Sequence, residues 1–111
     1  MTLDEQLESL GVQITHHFGA HEYAKETHIP AGVVLTQHEH EYDHLSILAQ
    51  GKALVCVDGA CFERAGPACL NIPAGKQHSV TAITDVTWFC CHGTDEKDPE
   101  VIDRQTKKVE V

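Results

Sequence analysis

The stretch QHEHEYDHLSI, residues 37 to 47, sets His38, His40 and His44 among Glu39, Glu41 and Asp43. Imidazoles and carboxylates bind divalent transition metals, so the chemistry in question is coordination. On a strand, residues i and i+2 project from the same face, which lets His38 and His40 approach one ion while Glu39 points away. The same parity puts Tyr42 and His44 on that face and Glu41 and Asp43 on the other, unless a bulge shifts the register and brings Glu41 or Asp43 inward. Tyr42 is the candidate catalytic side chain, placed either to donate a hydrogen bond to a substrate or to lie against the rim. A second segment, NIPAGKQHSV, holds Pro73, Gly75 and His78 in the order P-x-G-x-x-H. Proline and glycine make a sharp turn there, and such a turn can aim the first residue of the next strand, His78, at a cavity.

These residues need a scaffold, and the chain reads as an all-β one. Leu3, Leu7 and Leu10 suit a short N-terminal helical turn over residues 2 to 10, with Gly11 as its stop. Short β-type runs follow between turn residues: GVQITHHF, YAKETHI, GVVLTQHEH, LSILAQG, KALVCV, ACFERA, ACLNI, HSVTAI and VTWFCCH. Such regular punctuation indicates a sandwich or barrel. In VCV-DG-ACF, Asp58 and Gly59 can take the positive φ angles of a two-residue hairpin turn, which would pair Val57 with Ala60 and Cys56 with Cys61. Residues 93 to 111 read as a polar C-terminal tail containing Asp98-Pro99, able to wrap, cap or fray.

The 111 residues fit one domain, and eight basic against seventeen acidic side chains give a formal net charge of −9. That charge repels phosphate backbones and anionic membrane surfaces, so neither nucleic acid nor membrane is expected as a partner. No apolar run approaches the roughly 20 residues of a membrane span, and the acidic start MTLDEQLESLG is unlike a secretory signal. The expected location is cytoplasmic. Five cysteines without paired C-x-x-C spacing are expected to be reduced structural thiols; a cross-strand Cys56–Cys61 disulfide is sterically conceivable, but the expected cytoplasmic setting favours two reduced, packed thiols there as well. His16, His17, His21 and His28 lie in stretches without ligand spacing and are assigned no role in coordination.

Taken together, the two histidine segments resemble the two-motif signature of the cupin superfamily, small double-stranded β-helix or jelly-roll barrels. The first motif spans residues 32 to 51, from Gly32 through His38-x-His40 and His44 to Gly51; the second spans 66 to 82, from Gly66 through Pro73-x-Gly75 to His78. The resemblance implies that His38, His40, His44 and His78 hold one divalent transition metal, whether iron, manganese, nickel, zinc or copper. The sequence departs from the usual pattern in three places. His44 stands where glutamate is usual, one extra residue separates Gly66 from Pro73, and Ala82 stands in place of asparagine. A homodimer is also implied.

Four neutral imidazoles leave a divalent ion its full +2 charge, whereas a glutamate would reduce the site to +1. A chelating or anionic small molecule is therefore the expected ligand. Parity puts Val34 and Thr36, then Ser46 and Leu48, then Val80 and Ala82 on the ligand face, making a largely apolar cavity. Gln37 and Gln77 precede ligands and are candidates to orient their rings. In VTWFCCH, the sets Trp88-Cys90-His92 and Thr87-Phe89-Cys91 compete for the inside. Among activities, a metal-dependent oxidoreductase of dioxygenase type comes first and isomerase or lyase chemistry second. The alternative is a non-catalytic cupin that senses or stores a metal or metabolite. No serine or cysteine with a positioned base points to covalent catalysis.

Overall fold

Each of the nine alternating runs forms a strand in the computed structural model, which describes residues 3–37, 44–72 and 75–106. The strands are β1 (Gln13–Phe18), β2 (Glu22–Ile29), β3 (Val34–Gln37), β4 (His44–Gln50), β5 (Lys52–Val57), β6 (Ala60–Ala65), β7 (Ala68–Ile72), β8 (His78–Ala82) and β9 (Val86–Gly93). They form two antiparallel sheets, β1-β2-β9-β4-β7 and β3-β8-β5-β6, giving an all-β jelly roll. Period-two alternation builds the core. Leu48 from one sheet and Ala53 and Val55 from the other are fully buried, joined by Val80, Ala82, Val86 and Trp88. Burying one such aliphatic side chain stabilises the fold by about 1.5 to 3 kcal/mol.

The N-terminal helix α1 (Leu3–Glu8) ends as expected at Gly11, whose φ of 83° lets its N–H reach back to the Glu8 carbonyl at 2.9 Å. The C-terminal segment is more structured than a polar tail. Asp98 accepts from the Glu100 N–H at 3.0 Å and Pro99 occupies the first helical position, so helix α2 (Pro99–Thr106) starts with a side-chain cap. Its Ile102, 1% exposed, is the apolar anchor that ties the helix down.

The hairpin forms at Asp58 and Gly59, with φ angles of 47° and 85°, and pairs Val57 with Ala60 and Cys56 with Cys61. The expectation of two reduced thiols is corrected here: Cys56 and Cys61 are joined in a disulfide. The register permits the bond, because it sets the two residues face to face with their Cα atoms 4.0 Å apart. Closing so short a loop, with a sequence separation of five, is expected to contribute about 2 kcal/mol. Urea unfolding of Cys56→Ser/Cys61→Ser against the oxidised parent should show that loss, and coincident midpoints would rule it out.

Strand β3 also departs from expectation. Val34 is 52% exposed and Thr36 lies on the same outer face, while Leu35, 7% exposed, points into the core. The run Val33-Val34-Leu35 is apolar throughout, so its alternation does not choose a face, and pairing with Val80 draws Leu35 inward.

Candidate metal centre

The antiparallel register gathers the ends of several strands at one end of the barrel. Strand β3 ends at Gln37 and β4 begins at His44; β7 ends at Ile72 and β8 begins at His78. His78 is paired with Gln37 on one side and Val57 on the other, and its side chain is 1% exposed. On the other sheet His44 stands opposite the buried Ile72, in the register of the inward residues Ser46 and Leu48, both fully buried. The structure thus brings His78 and the His44 position to the same end on facing sheets. His38, His40 and Tyr42 lie outside the described residues, as do Glu41, Asp43 and the bulge that would bring either inward. Among the described residues no three histidine, cysteine, aspartate or glutamate side chains form a group able to hold a metal.

A clamp positions the approach to His78. The Asp58 N–H donates to the Gln77 carbonyl at 3.0 Å, and the Gln77 N–H donates to Asp58 Oδ1 at 3.2 Å. Lys76 Nζ lies 3.0 Å from Asp58 Oδ2 and, with the Gln77 N–H, holds the Asp58 carboxyl below its ordinary pKa. The hairpin turn therefore braces the segment that leads into β8. Gln77 itself is exposed, and its backbone supplies this bracing.

The buried polar side chains among the described residues are Lys25, Thr27, Ser46 and His78, and all four take inward positions. Ser46 and Leu48 face inward as expected, as do Val80 and Ala82. On β9 the two competing sets are resolved in favour of Trp88-Cys90-His92, with Trp88 and Cys90 buried and His92 half-buried. The Ser46 hydroxyl lies 3.9 Å from Cys90 Sγ, yet burial pushes the Cys90 thiol up. A neutral buried thiol is a poor nucleophile. Cys91, on the outer face, is also raised, by desolvation first and then by Cys69.

Several residues near this end carried no signal of function in the sequence reading. Tyr23, 2% exposed, stacks on His92 with ring centroids 6.1 Å apart and on His16 at 5.8 Å, and its hydroxyl is 2.7 Å from His16 Nδ1. Lys25 lies on the same inward face of β2, whose alternation of Tyr23, Lys25, Thr27 and Ile29 was legible once that face was known to be inner. His16 is therefore structural and inward. His17 and His28 are on the outer face, where they bind the two oxygens of Glu26 and, His17 first, hold that carboxyl below its ordinary pKa. His21 pairs with Asp95 at an exposed site.

Compared by sequence, the chain matches no known family profile and no curated protein. Compared by structure, it is similar to many solved proteins. A cupin superfamily protein from Desulfitobacterium hafniense is 18% identical with a TM-score of 0.66, over 76% of this chain and 78% of that one. The cupin domain of Cnp3 from Schizosaccharomyces pombe is 20% identical with a TM-score of 0.66, over 85% and 70%. A predicted oxalate decarboxylase from Thermotoga maritima is 12% identical with a TM-score of 0.65, over 75% and 80%. At these identities the likeness establishes the fold. No described helix is long and apolar enough to cross a membrane.

Proposed function

We propose that this chain, a protein of the cupin fold, binds one divalent transition metal through His38, His40, His44 and His78 and acts there on a small chelating or anionic metabolite. The observation that carries this reading is His78: an imidazole almost wholly buried at the barrel end where the His44 position also lies. The donor chemistry fits, since four imidazoles suit iron, manganese, nickel, copper or zinc. Leu35, not Val34 or Thr36, faces the core. His38 and His40 therefore join His78 only if the strand register shifts once after Gln37, as a single bulge would do.

When bound, such an ion would act as a Lewis acid on a chelating oxygen of the substrate. The protein's own part is to hold the ligand in a largely apolar pocket with a few polar groups. Ser46 offers a hydroxyl, and Trp88 and Leu48 exclude water beneath it. Dioxygenase-type oxidation stands first and isomerase or lyase chemistry second. A homodimer in the cytoplasm belongs to the same proposal.

Untagged protein loaded at neutral pH should retain close to one equivalent of transition metal by elemental analysis; a value near zero would overturn the reading. Oxygen uptake by iron- or manganese-loaded protein over diketones, thiols and phenols then separates enzyme from sensor, because a sensor stays inert across the panel. Metal retention should also weaken as pH falls through about 6, since imidazoles coordinate only when neutral. Equilibrium dialysis between pH 5 and 8 measures this, and a flat profile would count against histidine ligands.

A further inference from the structure

Glu26 and His28 stand two apart on β2 and share its outer face, and the register sets His28 directly opposite Thr87 on β9. The three side chains form a relay. Thr87 Oγ1 lies 3.1 Å from His28 Nδ1, and His28 Nε2 is bound to Glu26 Oε2. The other oxygen of Glu26 takes His17 Nε2 at 2.7 Å, and the two imidazoles, His17 first, hold that carboxyl below its ordinary pKa. An ionised carboxylate only accepts, so in the neutral imidazole of His28 the proton sits on Nε2 and Nδ1 is left to accept from the Thr87 hydroxyl. Hydroxyl, imidazole and carboxylate in that order are nucleophile, general base and orienting group, and the first contact is inside the roughly 2.6 to 3.2 Å such pairs need.

A cavity of about 720 Å³ opens over the relay, a size within the roughly 300 to 1,000 Å³ of small-molecule sites. Thr87 and His28 both line it, as do their register neighbours Gln50 on β4 and Gln13 on β1. Their carboxamides are N–H donors for an oxygen that turns negative during attack. The site lies at the start of β9, whereas the His44 position adjoins Leu45, which pairs with Cys91 toward the far end of that strand. It is therefore separate from the metal centre. Thr87 and its base are 59 positions apart in sequence, so only the fold brings them together.

We infer that Thr87, His28 and Glu26 form an acyl-transfer site that hydrolyses small uncharged esters. Thr87 Oγ1 bonds to the ester carbonyl carbon while His28 Nδ1 takes the hydroxyl proton; the bond to the alcohol oxygen then breaks, and His28 gives that oxygen the proton. Water, deprotonated by the same nitrogen, next bonds to the acyl carbon, the bond to Oγ1 breaks, and the proton returns to Thr87. Thr87 and His28 are catalytic residues, and Glu26 is a positioning residue. Glu26 at the base, Asp85 on the cavity wall and the −9 charge of the chain disfavour anionic esters.

The full chain is assayed with 4-nitrophenyl acetate, with and without a metal chelator. Wild type should release 4-nitrophenol equally in both and, after acid quench, carry an acetyl group on Thr87 by peptide mass spectrometry. Thr87→Val should lower kcat/KM at least about a hundredfold, and Thr87→Ser, which keeps the hydroxyl, should stay within about tenfold of wild type. If Thr87→Val does not fold, Thr87→Ala is used with the same expectation. Glu26→Gln should lower kcat at least about tenfold with KM unchanged, since an amide no longer fixes the His28 tautomer. His21→Ala, which removes an exposed imidazole paired with Asp95, should change nothing. Equal rates in wild type and Thr87→Val, acetyl groups on other residues only, no ester hydrolysis, or activity abolished by the chelator would overturn the inference. None of these outcomes bears on whether His78 binds a metal.

Discussion

Replacing His78 with alanine is expected to lower affinity for zinc or nickel by at least about a hundredfold, since even groups that only orient a metal ligand are worth 10- to 100-fold. The reason is geometric. His78 sits in the middle of its sheet, paired with Gln37 and Val57 on either side, and its side chain is buried. No neighbour on β8 can replace it: Ser79 lies on the opposite face, and Val80, the next inward residue, has no donor. Chelator competition on the folded variant measures the loss. His28→Ala, which removes an imidazole that binds Glu26 on the outer face, is the control and should leave affinity unchanged. If the two variants lose equally, the metal is held by scattered imidazoles and the proposed centre does not exist.

Gly51→Ala is expected to destabilise the fold by about 4 kcal/mol, at the upper end of single-substitution effects. Gly51 turns β4 into β5 with φ of 95°, a region that residues with a Cβ rarely enter. A Cβ built there would lie 2.2 Å from the Asp85 carbonyl oxygen, so backbone must move. The Gly51 carbonyl also accepts from the Gly66 N–H at 2.9 Å, so the shift would reach the turn between β6 and β7. Urea denaturation should give a lower midpoint with the same slope. A loss below about 1 kcal/mol would mean that the turn relaxes without strain.

The strands were legible in the sequence because a two-residue period with turn residues between runs leaves few other structures, and Asp58-Gly59 specified its hairpin to the residue. Parity counted from the histidines also placed Ser46, Leu48, Val80 and Ala82 correctly; in HSVTA the apolar residues mark that face themselves, whereas in HLSIL Leu45 and Ile47 fall on the opposite one. It failed at Val34 and Thr36, where three consecutive apolar residues make both faces equally plausible and cross-strand pairing decides. Lys25 was missed for a related reason: EYAKETHI alternates, but a lysine on its inward face runs against the usual burial of charge. The Cys56–Cys61 pairing followed from register, whereas the bond between them depends on redox chemistry that register does not encode. Helix α2 had a readable start in Asp98-Pro99, but its buried Ile102 stands in a largely polar run, so its docking had little apolar signature.

The Asp58 clamp bears on the entropy of ligand capture. Three contacts, two with the Gln77 backbone and one with Lys76, restrict the residues just before His78 ahead of any ligand. Freedom lost during folding is not lost again on association, so an imidazole delivered by a braced segment binds with a smaller ordering cost than one carried on a loose loop. Asp58 does this from the tip of a hairpin whose strands are themselves cross-linked, so a turn that supplies no proposed metal ligand sets part of the entropic cost of binding.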